Sequence, residues 1–384
     1  MTQELNLWLI GGGLGFGVLF GIIVQRSRFC VLAAVSNWVL MRDLRQVHGY
    51  LAAVAVAVAG TAVLELTGVV PVAESIYRSA RVDWLGALAG GAMFGFGVVL
   101  AGGCVGRLLV RGAEGSVGAL LALVAVALGA AACAYGVLAP LRSALAVATA
   151  MTLTSGDASV TALLGLPSWV APAVVAIGCA LAIAPSVRRN ASAGMVLAGA
   201  LIGALIVSGW YVTGYLARDE FGMAAQRPAS LTFVGPLAQL MHYVASGEVM
   251  GNAFHLALVA GALAGALVSA TAHGSFRWTM PAGRELARVS LGGGLMGIGA
   301  VFAGGCNIGQ GLTGVSTLSA SALLAVIGMV LGMRLGLAWL MRAEQTQAGR
   351  QSRSARLLSV VRERWMKTHP ASAHRASARM CASS

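Results

Sequence analysis

Charged side chains are scarce in this sequence. They make up 10% of its 384 residues, against about 25% in an ordinary soluble domain, and only 13 of them are acidic. Hydrophobic residues reach 58% and the mean hydropathy is +0.82. Such a composition excludes a disordered chain, which needs low hydrophobicity, and it excludes an ordinary soluble domain. It therefore predicts a membrane protein.

Several sequence patterns for cofactors and metals are also missing. There is no glycine loop ending in GK[ST], which argues against direct use of ATP. There is no CxxC pair, and no histidine stands beside Cys104 or Cys306, which argues against a zinc site. We therefore expect neither a cofactor nor a metal. The first apolar run is followed by Arg26 and Arg28 instead of small residues, so we expect it to be a span and not a cleaved signal peptide.

The apolar runs are long enough to cross a bilayer, which needs about 20 residues of α-helix. We predict an all-α polytopic membrane protein with about nine spans. They lie near 5–24, 50–70, 84–102, 116–140, 161–184, 193–216, 252–272, 288–304 and 318–341.

The formal charge of +13 is explained by the distribution of arginine between loops. With the N-terminus outside, the loops expected inside hold most of the arginines, among them Arg107, Arg188 and Arg284. This bias follows the positive-inside rule and predicts a periplasmic N-terminus and a cytoplasmic C-terminus. The segment 342–384 carries nine basic residues and is expected to be a disordered cytoplasmic tail, with docking to a partner or to anionic lipid as the alternative. We expect no nucleic-acid partner.

The sequence contains an internal repeat. At an offset of 202 residues, segment 90–104 matches segment 292–306 at nine of fifteen positions, and both copies end in Ala-Gly-Gly-Cys. A weaker match at an offset of 248 aligns Gly13 and Gly17 with Gly261 and Gly265. The chain is therefore predicted to be a duplicated transporter unit. Whether its halves run parallel or inverted stays open at this point.

Each Gly-Gly-Cys is followed by a polar, glycine-rich stretch of about ten residues. Irregular backbone is tolerated at membrane depth only where protein or a water-filled cavity satisfies it. We expect short half-membrane helices there, and another over 28–42, around a pathway. The pathway residues predicted from this pattern are Cys104, Cys306, Gly102, Gly103, Arg107, Gly304, Gly305, Asn307 and Gln310. The predicted divisions are 1–160 (first repeat), 161–250 (connecting helices and an external loop), 251–341 (second repeat) and the tail 342–384.

Five of the six cysteines fall into two classes. Cys133 and Cys179 lie within apolar runs, where cysteine behaves as a small hydrophobe, and Cys381 lies in the polar tail. Cys104 and Cys306 follow paired glycines at matched repeat positions, where a helix is expected to end beside a pathway. A neutral thiol is a weak hydrogen-bond donor. A series of thiols would form shallow sites that bind a sulfur species and also release it.

Three blocks resemble the signature segments of the YeeE/YedE family of bacterial sulfur-transport (thiosulfate-uptake) proteins. They are Ser27-Arg28-Phe29-Cys30, Gly102-Gly103-Cys104-Val105-Gly106-Arg107 and the block from Gly304 to Leu312 that contains Cys306. The resemblance implies an hourglass-shaped inner-membrane protein with re-entrant helices. It further implies that thiosulfate passes the waist by successive S–H contacts with Cys30, Cys104 and Cys306, and that a separate TusA-like cytoplasmic sulfur-carrier protein is the partner.

Three functions are weighed at this stage. The first is uptake of thiosulfate or a related sulfur anion by a protein that is not an enzyme; transport of a selenium species is a variant of it. The second is a membrane thiol–sulfur transferase in which Cys104 carries a persulfide, disfavoured because a thiolate-stabilising cluster is missing apart from Arg107. The third is a structural subunit whose glycines serve only close helix packing. Energy coupling and oligomeric state are not indicated by any motif.

Overall fold

A computed structural model describes residues 2–153, 156–188, 192–217, 227–247 and 253–368. The described chain is almost entirely helical, as predicted for an all-α polytopic membrane protein. The α-helices are α1 Thr2–Ser27, α2 Val31–Ser36, α3 Arg45–Leu66, α4 Gly91–Ala101, α5 Val105–Ala113, α6 Val117–Ala134, α7 Ala139–Thr149, α8 Val160–Leu163, α9 Val170–Arg188, α10 Ala193–Tyr211, α11 Val234–Ser246, α12 Ala253–Ala272, α13 Gly283–Phe302 and α14 Ala320–Thr368.

Short segments of other geometry join or extend these helices. The π-helical segments are Asn37–Met41, Gly86–Gly90, Val212–Leu216 and Gly309–Gly314, and the 3₁₀ turns are Val72–Glu74 and Ile76–Arg78. Strands β1 (Arg81–Asp83) and β2 (Ala150–Thr152) form one antiparallel pair, with Val82 opposite Met151.

The predicted count of nine spans is confirmed for the described residues. The stretches that are long and apolar enough to cross a membrane are Trp8–Met41, Arg45–Leu66, Gly86–Ala113, Val117–Ala134, Val170–Val187, Ala193–Leu216, Ala253–Ala272, Gly283–Phe302 and Ala320–Ala343. Two of them, the first and the third, are interrupted by breaks directly before Cys30 and Cys104.

The described part of the basic tail is helical. Helix α14 continues without interruption to Thr368, and the rest of the tail lies outside the described residues. A helix that is already formed extends without a new nucleation cost, and the tail sequence up to Thr368 is rich in Ala, Arg, Leu and Gln, which are good helix formers. Contacts divide the chain into two units, the first ending at Gly336 and the second beginning at Leu337.

Glycines allow pairs of long helices to pack with their backbones in contact. On α1, Gly17 lies against Leu258, Gly261 and Ala262 of α12, and Gly265 of α12 lies in turn against Val18. Residue numbers increase together along both helices, so α1 and α12 run parallel. The weak match between these two runs thus reflects one shared interface of small residues.

Helices α3 and α10 form a second parallel pair of the same kind. Gly199 of α10 lies against the backbone of Gly49, and Gly203 lies against Ala53 and Val56 of α3.

The two helices that carry the Gly-Gly-Cys motifs cross each other in opposite directions. Gly97 of α4 lies against Gly292 and Met296, whereas Gly90, the last residue of the π-helical segment before α4, lies against Gly299 and Phe302 at the far end of α13. The repeated segments are therefore antiparallel, which is the arrangement of an inverted repeat.

Other contacts obey the same relation. The offset of 202 maps α4 onto α13 and most of α3 onto α12, and in chain order α10 precedes α11 and α12 as α1 precedes α2 and α3. The pair α1–α12 then corresponds to the pair α10–α3, and both pairs are among the most extensive helix contacts. Under this correspondence the second repeat begins at α10, earlier in the chain than residue 251.

Candidate functional site

The Ala-Gly-Gly-Cys motif forms the same helix break in both repeats. After α4, Gly102 has φ +73° and its N–H donates to Val99 O, while the Gly103 N–H donates to Val98 O. After α13, Gly304 has φ +76°, and Gly304 and Gly305 donate to Val301 O and Ala300 O. This is the Schellman C-cap, whose left-handed position favours glycine because glycine has no Cβ.

Cys30 and Cys104 each cap a short helix, and Cys306 lies two residues before Ile308, the N-cap of the Gly309–Gly314 segment. Cys104 is the N-cap of α5, with extended backbone, and its carbonyl accepts from Leu108 N at 2.8 Å. Cys30 is the N-cap of α2, after Arg28, which adopts the left-handed conformation (φ +54°) without being glycine. The Cys306 carbonyl accepts from Gln310 N at 2.7 Å. All three predicted pathway cysteines thus stand at one type of position, between a terminated helix and a new N-terminus.

The structure brings the three thiols into one buried cluster. The Cys30 thiol donates to Cys104 Sγ at 3.9 Å, and Cys104 and Cys306 are close enough to interact electrostatically. Their relative exposures are 7%, 3% and 0% for Cys30, Cys104 and Cys306. Cys306 Sγ also accepts a hydrogen bond from Gly309 N at 3.4 Å. The five described cysteines are free thiols.

The cluster is not shaped for a metal ion. Among the described residues, no three His, Cys, Asp or Glu side chains converge closely enough to bind one. The two other described cysteines, Cys133 and Cys179, lie within α6 and α9, away from the helix breaks that carry the three thiols. The arrangement is therefore a short series of weak donors.

Two tyrosines flank the thiols and were not predicted. Tyr50 donates from Oη to Gly311 O at 2.8 Å and lies within electrostatic range of Cys104 and Cys306. Tyr77 lies within the same range of Cys306, and burial, followed by the nearness of Cys306, raises the pKa of its hydroxyl above the ordinary value. That hydroxyl therefore stays a neutral donor. A sequence signal for Tyr50 existed: it stands near the start of an apolar span in a chain with only 6% aromatic residues.

The polar residues after Cys306 have different surroundings. Asn307 is 1% exposed, and among the described residues neither its Nδ2 nor its Oδ1 has a hydrogen-bond partner. Gln310 is engaged instead: its Nε2 donates to Ala303 O at 2.9 Å, at the end of α13. Because buried polar groups are nearly always satisfied, the free amide of Asn307 is the feature here that most needs a ligand.

Arg107 lies next to the cluster but is partly neutralised. Its Nη2 is 3.6 Å from Glu114 Oε2, and its side chain is 14% exposed. Its Nη1 is buried and has no partner among the described residues. Glu114 also accepts from Gln25 Nε2 at 3.4 Å. The neighbouring Arg111 donates from Nη1 to Gly102 O at 3.2 Å and so ties α5 to the helix break before it.

Comparison with known proteins agrees with this geometry. The family model described as "Sulphur transport" matches residues 26–335, a range that contains all three cysteines. The protein named thiosulfate transporter TsuA of Spirochaeta thermophila is 30% identical over 345 residues, which cover 87% of this chain and 99% of that protein. TsuA of Escherichia coli K12 is 27% identical over 340 residues, covering 85% of this chain and 93% of that protein.

A third relative matches a smaller part. The protein named probable transporter YedE of Escherichia coli K12 is 29% identical over 119 residues, or 30% of this chain and 27% of that protein. The family and these relatives are transporters and not enzymes. The match over more than three quarters of the sequence, together with the paired helix breaks and the thiols they present, establishes that this chain belongs to the sulphur transport (YeeE/YedE) family.

Proposed function

We propose that this chain takes up thiosulfate or a closely related sulfur anion across the bacterial inner membrane. The anion would pass a constriction formed by Cys30, Cys104 and Cys306. The observation that carries the proposal is the cluster itself: the thiols of Cys30 and Cys104 are in contact, and Cys306 of the inverted repeat lies within electrostatic range of Cys104 after the same type of helix break. The names of two relatives that cover most of the chain support the choice of thiosulfate.

The chemistry of the cluster suits a soft, doubly charged substrate. A neutral thiol donates only weakly, so successive S–H contacts would hold the anion without trapping it. Burial of a charge is costly unless it is compensated. The N-terminus of the nine-residue α5, which lacks a side-chain cap, offers backbone N–H groups of favourable sign. The free amide of Asn307 and the unpaired Nη1 of Arg107 are further donors.

The orientation and the partner complete the proposal. The arginine distribution supports a periplasmic N-terminus and a cytoplasmic C-terminus. The predicted pathway set, including Gly102, Gly103, Gly304 and Gly305, would then form the waist, and lipid would surround the spans. A separate TusA-like sulfur carrier would receive thiosulfate on the cytoplasmic side. Transport of a selenium species is the alternative, and competition between that species and thiosulfate for uptake would distinguish the two substrates.

Growth on thiosulfate tests this function. Cells that lack other routes of sulfur uptake should grow on thiosulfate as sole sulfur source when they express this chain. Cys104→Ala should abolish that growth because it removes the thiol that contacts Cys30. Cys133→Ala, which changes a buried cysteine within α6, away from the helix breaks, is the matched control; cells with this variant should grow normally.

Two results would count against the mechanism. Normal uptake by the Ala variants at Cys30, Cys104 and Cys306 would rule out a thiol relay. Attack of the Cys104 thiolate on the sulfane sulfur of thiosulfate would release sulfite and leave a persulfide on Cys104. If mass spectrometry after thiosulfate exposure detects the added sulfur atom, group transfer replaces hydrogen bonding as the mechanism.

A further inference from the structure

The inverted repeat predicts four equivalent positions at the constriction, of which only three are cysteine. The offset of 202 relates Cys104 to Cys306 and relates Cys30 to Thr232. The surroundings agree with this relation. Cys30 directly precedes the short helix α2, and Thr232 lies two residues before the short helix α11. A hydroxyl therefore occupies the fourth position.

The segment that carries Thr232 is fixed on both sides. Ser230 O accepts from His255 Nε2 at 2.9 Å, and Ser230 Oγ donates to Ile206 O at 2.7 Å. Leu231 O accepts from Thr313 Oγ1 at 2.9 Å. Ser230, Leu231 and Phe233 are fully buried at 0% exposure. Thr232 is partly exposed, whereas its neighbours Leu231 and Phe233 are buried. The fixed segment therefore leaves the side chain of Thr232 accessible.

The Thr232 side chain lies beside the Cys306 helix. An added Cβ on Gly309 would come within 2.9 Å of Thr232 Oγ1, so glycine is needed there for the hydroxyl to approach. The backbone N–H of the same Gly309 donates to Cys306 Sγ at 3.4 Å. The Tyr77 hydroxyl lies on the same side of Gly309. Thr232 is thus next to Cys306, much as Cys30 is next to Cys104.

We propose that the Thr232 hydroxyl is a substrate-contacting, specificity-determining group of the pathway, the counterpart of Cys30 in the second repeat. A hydroxyl is a stronger and harder donor than a thiol. Thr232 would hold an oxygen of the sulfur oxyanion, while the thiol of Cys306 contacts its sulfur. This inference rests on the proposed function, and it makes the two ends of the constriction chemically different.

Transport of radiolabelled thiosulfate into proteoliposomes tests the inference with three substitutions. Thr232→Val keeps the shape and removes the hydroxyl, and uptake at low thiosulfate should fall about 3- to 10-fold, the effect of one lost hydrogen bond. Thr232→Ser should restore uptake to near the wild-type rate. Thr232→Cys should transport, with weaker inhibition by sulfate, since a thiol favours oxygen contacts less. Thr271→Val, which removes an exposed hydroxyl of α12 bonded to its own helix, is the control.

A binding readout separates this inference from the proposed function. Each anion of a panel of thiosulfate, sulfite and selenite is added to purified protein, and the shift of the melting temperature is measured. If wild type binds one of them without transporting thiosulfate, the proposed function fails, while a smaller shift in Thr232→Val still supports Thr232. Equal shifts and equal uptake in Thr232→Val and wild type would overturn the inference. So would a loss in Thr232→Ser as large as in Thr232→Val, because packing would then explain it, and so would an absence of binding by every anion.

Discussion

At the scale of single residues, Asn307 separates function from stability. Its amide is 1% exposed, and no described residue satisfies either polar atom. A buried unsatisfied polar group costs about 1–3 kcal/mol of folding free energy. A protein that tolerates this cost beside Cys306 has an amide available for a bound anion.

Replacing Asn307 tests that separation. Asn307→Leu should leave the melting temperature in detergent unchanged or raise it, because the desolvation cost disappears, while thiosulfate uptake falls at least about tenfold with the loss of a charge-assisted hydrogen bond. The matched control is Gln239→Leu, which removes another buried amide oxygen without a partner, on α11; its uptake should stay normal. A variant at Asn307 that unfolds while Gln239→Leu does not would show that the amide is structural.

At the scale of elements, the crossing of α4 and α13 depends on glycine. An added Cβ on Gly292 would lie 2.5 Å from Ala101 N and 2.9 Å from Gly97 O, both backbone atoms of the facing helix. Gly294, two residues further along α13, would meet nothing within 4 Å. The same substitution therefore has opposite consequences at neighbouring positions.

This contrast gives a stability prediction. Gly292→Ala should force the two helices apart and destabilise the protein by about 1–3 kcal/mol, the usual cost of overpacking. Gly294→Ala should be neutral or stabilising by up to about 1 kcal/mol, because alanine favours the helix over glycine. The melting temperatures of both purified variants decide it. If both variants melt alike, the close backbone approach at Gly292 is wrong.

At the scale of the whole molecule, an ion-pair network joins segments that are distant in sequence. Arg78 pairs with Glu65 at the end of α3 and with Asp157, and donates to Ser159 Oγ at 3.2 Å. The 158–160 segment in turn bonds to Leu318 and Ala320, where α14 begins. Burial opposes both charges, but the Arg78–Asp157 hydrogen bonds outweigh it: they raise the pKa of Arg78 and hold the pKa of Asp157 below its ordinary value.

The lowered pKa of Asp157 predicts a dependence on acid. The contribution of Asp157 to stability is complete above the ordinary aspartate pKa of about 3.9, and it is lost as the pH falls below that value through the lowered folded pKa. At pH 7, Asp157→Asn should cost about 1–2 kcal/mol, less than a fully buried pair, because the side chain is 24% exposed.

Melting curves between pH 7 and pH 3 measure this effect. Wild type should lose the advantage over Asp157→Asn below about pH 4. Glu285→Gln is the control, since its carboxylate is 53% exposed and 3.9 Å from Arg288; its melting temperature should track wild type at every pH. A constant difference between Asp157→Asn and wild type down to pH 3 would contradict the role of the network.

The sequence by itself determined the spans, the duplicated motif, and the matched positions of Cys104 and Cys306 at the ends of its two copies. These features are local: hydropathy over about 20 residues marks a span, and Gly-Gly-Cys encodes its own helix break through the left-handed position of Gly102 and Gly304. The family resemblance added Cys30.

Only the tertiary structure decided the rest. The antiparallel crossing of α4 and α13 makes the repeat inverted, and the contact of Cys30 with Cys104 joins residues 74 positions apart. Tyr50, Tyr77 and Thr232 reach the site from separate segments, and whether Asn307 is satisfied depends on every neighbour around it. Packing between helices that are distant in sequence fixes these relations, and a local pattern of residues does not determine which helices come into contact.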